Sequence, residues 1–181
     1  MSSLNRSRRA MITVFTAFLL PVLAAWLILS QNWYETGTNK GTLLQPPITL
    51  SSQTELLPDG WQLGYIAPET CDLTCENTLY VMNQVDVALG KNMDRLTPVV
   101  LHQNKNSETN FNHSAPHITQ MVAPQLIDEL SQLPPNTLFI IDPLHNVMLY
   151  YPTHEDKTAM ITEGKNVLSD LRKLLKLSRI G

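Results

Sequence analysis

Hydrophobic and polar positions split the 181-residue chain into three unlike stretches. From Met11 to Ser30 the residues are uncharged and rich in Leu, Ala, Val, Ile and Phe. Residues 31–56 are rich in Thr, Gln, Ser, Gly and Pro, with Pro46-Pro47 near the centre. From residue 57 onward, apolar positions alternate or recur at helical spacing, as they do in a folded domain.

Inside that last stretch, Trp61–Ile66 alternates and predicts a strand. After the turn Pro68-Glu69-Thr70, a helix is predicted from about Asp72 to Leu89, stopped by Gly90, burying Leu79, Met82, Val85, Val87 and Leu89. Leu96–His102 predicts a second strand, followed by a polar loop over Asn104–Pro116. A helix is expected from about Ile118 to Leu133, ending before Pro134-Pro135. Leu138–Ile141 is a short continuous apolar run, as in a strand buried on both faces. Asp142–Asn146 then turns the chain, and Val147–Tyr151 returns beside it. The last helix runs from about Asp156 to Leu177, with Leu168, Leu171, Leu174 and Leu175 at helical spacing. Its late Arg172, Lys173 and Lys176 complement the helix dipole. The order β-α-β-α-β-β-α predicts an α/β, thioredoxin-like domain over residues 57–181.

The apolar run adds a second element. About 20 residues rising 1.5 Å each cross a hydrocarbon core of about 30 Å. A cleaved signal peptide shares the basic start, but its apolar segment is shorter and ends in a small-x-small site. Here the run ends in Ser30-Gln31-Asn32-Trp33-Tyr34, which predicts a single uncleaved N-terminal transmembrane helix. Arg6, Arg8 and Arg9 precede it, and no positive charge follows until Lys40, so the N-terminus is expected in the cytoplasm. The expected division is a basic cytoplasmic segment (1–10), an anchor (11–30), a periplasmic linker (31–56) and the domain (57–181). The expected location is a bacterial inner membrane. The net charge of −3, with no basic stripe interleaved with aromatics, sets nucleic acid aside as a partner.

The two cysteines are Cys71 and Cys75, four residues apart at the predicted helix start. Cβ atoms at i and i+4 inside a helix lie about 5–6 Å apart, whereas a disulfide needs about 3.5–4.5 Å. Cys71 must therefore precede the helix if the pair is to oxidise, which an oxidising compartment permits. Unpaired N–H groups there favour a thiolate, while Glu69, Asp72 and Glu76 oppose it. Two thiolates also suit Cu(I), a soft ion. A structural disulfide stapling the turn is the alternative reading. Among the histidines, His113 and His117 flank Pro116, which breaks the helix that would align them. His145 stands in the hairpin turn, His102 at a strand end, and His154 beside the last helix start. Pro135 is a candidate cis-proline before the strand at Leu138.

These features together resemble the Sco/SenC family of copper-handling thioredoxin-fold proteins. They are similar above all to small bacterial membrane proteins found with cytochrome c oxidase assembly genes. The resemblance rests on Trp61–Ile66, Cys71–Cys75, Leu79-Tyr80, Gln84-Val85, Ala88–Lys91, Asp142-Pro143-Leu144, Asn146-Val147-Met148 and Leu171–Gly181. It implies maturation of the dinuclear copper site on oxidase subunit II, by Cu(I) delivery or by thiol–disulfide exchange, with Cys71 and Cys75 as the working residues. Three departures stand out. Asp72 replaces the family's proline, residues 133–137 lack its histidine ligand, and His145 stands where the turn carries glycine. His145 or His117 is then the candidate substitute metal ligand. A general periplasmic thiol–disulfide oxidoreductase and a non-catalytic scaffold are the other readings.

Overall fold

The computed structural model describes residues 3–30, 39–104 and 117–178. The chain divides into two compact units, residues 1–38 and 39–181. In the first unit, helix α1 (Ser3–Ser30) continues through Pro21. Its segment Arg8–Leu27 has a mean hydropathy of 2.2 over 20 residues and is long and apolar enough to cross a membrane.

The second unit is a six-stranded mixed sheet between two layers of helix. Its elements are β1 (Thr42–Thr49), β2 (Trp61–Ile66), α2 (Leu73–Ala88), β3 (Leu96–His102), β4 (Thr119–Val122), α3 (Pro124–Glu129), β5 (Thr137–Ile141), β6 (Asn146–Pro152) and α4 (Lys157–Leu177). The strand order is β1-β6-β5-β2-β3-β4. β2 pairs in parallel with β3 and antiparallel with β5, so the first crossover runs through α2. This is the expected thioredoxin-like order with a strand added at each edge.

Both added strands correct the sequence reading. Part of the stretch expected to be linker forms β1, which pairs antiparallel with β6. Its proline pair is accommodated because β1 is an edge strand and its register shifts between Leu43 and Ile48. The folded unit therefore begins at Asn39, not at residue 57. The helix expected over 118–133 is instead β4, then α3 and a short 3-10 turn at Leu130–Gln132. Ile118, Thr119 and Val122 are β-branched and suit a strand, and Pro124 starts the helix at its first position. The polar loop expected over 104–116, with His113, falls almost wholly outside the described residues. The cis peptide bond is Gln45–Pro46, and Pro135 is trans.

Alternation in the central strands feeds two cores. Trp61, Leu63, Tyr65, Val100, Leu138 and Ile140 face α2 and α4, in a cluster that includes Cys75. Val99, Leu101, Phe139, Ile141 and Val147 face α3 on the other side. Gly64 allows Phe139 to lie flat across β2: a Cβ there would sit 2.2 Å from the ring. Gly164 does the same between α4 and α2, where a Cβ would meet Val81 at 2.5 Å.

Candidate functional site

β2 ends at Ile66 in the sheet interior, and the chain crosses Ala67–Thr70 before α2 begins. Asp72 is the N-cap of α2, and its carboxylate accepts the Cys75 N–H at 2.9 Å. Cys71 thus lies one residue ahead of the cap, outside the helix, as closing the disulfide requires. The Cys71–Cys75 disulfide is formed, with Cα atoms 5.2 Å apart. The two cysteines differ in exposure. Cys71 is half-buried beside the exposed residues Glu69, Thr70, Asp72 and Leu73, whereas Cys75 is 0% exposed within the α2-side core.

The other groups at this end of the sheet hold the helix mouth in place. The Asn77 side chain donates to the Glu155 carbonyl at 2.7 Å, tying the first turns of α2 to the lead-in of α4. The Thr78 hydroxyl donates to the Thr74 carbonyl at 2.7 Å. Beneath this turn lies Tyr65, fully buried, its hydroxyl without a partner. Burial pushes that phenol up to about 12, and the nearby Asp72 carboxylate adds to the rise. A groove runs beside the cysteine loop, bounded by Ala67, Pro68, Leu133, Pro134, Pro135 and Asn136.

Among the described residues, no histidine forms a metal-holding group with the cysteines. His145 sits in the β5–β6 turn, beyond Ile141, which pairs with Gln62 near the start of β2. The cysteine loop leaves the other end of β2, so the six-residue strand, about 20 Å long, separates the two. This corrects His145 as a substitute ligand. The residue has a turn role: its φ is 62°, its N–H donates to the Asp142 carbonyl at 2.9 Å, and its carbonyl accepts from Leu50 N at 2.9 Å. His117 is exposed just before β4, and its charge acts on Asp86 in the C-terminal half of α2. There burial raises the Asp86 carboxyl, His117 opposes the rise and Asp94 adds to it. His102 is fully buried, with Nε2 3.0 Å from Gln120 Oε1. His154 lies 3.8 Å from Glu163. Among the described residues, no three His, Cys, Asp or Glu side chains form a metal-holding group.

The arrangement offers one half-buried cysteine bonded to one fully buried cysteine at a helix N-terminus. An incoming thiolate can reach Cys71 and release Cys75. After two-electron reduction the same two sulfurs form a soft donor pair that fits Cu(I), and among the described residues no His, Asp or Glu joins them in a three-residue metal-holding group.

A family model described as a transmembrane-like, thioredoxin-like, C-terminal domain matches residues 61–178. No curated protein matches the chain by sequence. Among solved structures, the chain resembles apo Sco1 from Thermus thermophilus, with 18% identity and a TM-score of 0.53 over 78% of this chain and 99% of that one. Copper-bound ScoI from Bradyrhizobium japonicum matches at 15% identity and a TM-score of 0.43, covering 69% of this chain and 97% of that one. Peroxiredoxin Q from Xanthomonas campestris matches at 14% identity and a TM-score of 0.49, covering 76% and 98%.

Proposed function

The chain belongs to the family of transmembrane-like, thioredoxin-like C-terminal domains, and from that premise we propose that it is a membrane-anchored assembly factor for cytochrome c oxidase. It acts by thiol–disulfide exchange between Cys71–Cys75 and the cysteines of the dinuclear copper site on subunit II. The N-terminus lies in the cytoplasm and the domain in the periplasm of a bacterial inner membrane, where a disulfide persists. The observation that carries this reading is the unequal exposure of the two bonded cysteines, Cys71 half-buried and Cys75 fully buried. Exchange needs one sulfur open to attack and one that leaves, and a disulfide between two buried sulfurs offers neither.

Cu(I) delivery by the two thiolates is the companion activity. The donor pair suits the ion, and two sulfurs with no histidine joining them among the described residues favour brief carriage over storage. The full burial of Cys75 favours one rival, a disulfide that merely staples the turn. A reduction potential below about −300 mV would mark such a staple.

Deleting the gene tests the client. Loss of the dinuclear copper signal from the host's oxidase is expected, restored by the intact chain and not by Cys71→Ser. An unchanged signal in the deletion strain overturns the assembly role.

A further inference from the structure

Opening the disulfide creates an anion in a place poorly suited to one. A partner's thiolate attacks Cys71 Sγ, a new S–S bond forms there, and the Cys71–Cys75 bond breaks. Its electron pair stays on Cys75 Sγ, which is fully buried. A buried anion without a hydrogen-bond donor is costly, and most donors nearby are already committed. The Cys75 N–H donates to Asp72 Oδ1, the Glu76 N–H to the Asp72 carbonyl, and the Thr78 hydroxyl to the Thr74 carbonyl.

One hydroxyl is left over. Tyr65 stands on the α2-facing side of β2, in the same packed cluster as Cys75. It is 0% exposed, and its Oη makes no hydrogen bond while the disulfide is closed. We propose that the Tyr65 hydroxyl is the donor that receives the Cys75 thiolate when the disulfide opens. No proton is transferred: it stays on Oη, and the electron pair stays on sulfur. An unpaired hydroxyl disfavours the closed form, and a paired one favours the open form. Both effects push toward release of Cys75. The inference rests on the exchange reading of the same cysteine pair and adds a positioning residue to it.

The test is the rate at which excess glutathione opens the disulfide of the full chain in detergent at fixed pH, read by thiol alkylation. Tyr65→Phe is expected to slow opening about fivefold, since hydrogen bonds to charged groups are the stronger kind and only part of the charge has developed in the transition state. Placing 3-fluorotyrosine at position 65, a stronger donor of nearly the same shape, is expected to speed it. Equal rates in all three proteins, or shifts of both variants in one direction, would overturn the inference, because a packing role does not respond to donor strength. If glutathione opens the native disulfide and Tyr65→Phe opens as fast, only this inference fails. If the native disulfide does not open at all, the exchange reading fails with it.

Discussion

A cap, a turn and a hydroxyl set the chemistry at the scale of single residues. Asp72 fixes where α2 starts, and with it the position of Cys71 one residue outside the helix. That placement was legible in sequence because disulfide geometry excludes two helical cysteines at this spacing. The role of His145 was not legible, since its backbone conformation depends on the hairpin. Asp142 accepts from the Leu144 and Asn146 N–H groups, and the resulting turn holds His145 at φ 62°. This left-handed position is one where glycine is unstrained, which explains how the turn can carry either residue. His145→Gly is therefore expected to raise stability by about 0.5–1 kcal/mol in urea denaturation. It should leave disulfide opening unchanged, whereas a metal ligand or proton carrier at position 145 would alter reactivity on removal.

The central strands and the two long helices were readable, and the strands at the sheet edges were not. β2 and β3 fall where alternation and β-branching put them, and α2 buries Leu79, Met82 and Val85 as expected but leaves Val87, expected in the core, 51% exposed. β1 and β4 depend on neighbours far away in sequence: β1 on β6, and β4 on β3. Neither Gln45-Pro46-Pro47 nor the short run Thr119–Val122 carries a strong local signal for such pairing. The segment after β1 is fastened by a side chain. Glu129 of α3 accepts from the Ser51 N–H at 2.8 Å, and from the Ser51 and Ser52 hydroxyls at 2.6 and 2.7 Å. These bonds, the Ser51 hydroxyl first, hold its carboxyl down at about 2 against an ordinary 4.5. A depressed carboxyl stabilises the fold above its unfolded value, and that contribution is lost as pH falls from about 4.5 toward 2. Melting temperature is thus expected to drop across that window. Glu129→Gln should lower it at neutral pH and flatten the acid slope, and identical acid slopes would show that the clasp adds nothing.

The whole molecule joins an apolar helix to a sulfur pair on a folded unit whose first residues are firmly held. Asp170, fully buried on α4, accepts from the Lys40 and Gly41 N–H groups, from Tyr151 Oη at 3.1 Å and from Lys173 Nζ at 3.0 Å. A buried carboxylate needs such partners to remain in place. Here they pin the entry of the chain into the domain, so the folded unit starts within ten residues of the end of α1. The account as a whole depends on Cys71 meeting a sulfur on another protein. The most direct measurement uses the full chain carrying Cys75→Ser, mixed in detergent with the copper-site domain of cytochrome c oxidase subunit II in its disulfide form. A covalent adduct through Cys71, cleaved by dithiothreitol and missing when Cys71 is also replaced by serine, is the expected result. No adduct above that of the double variant would contradict the account.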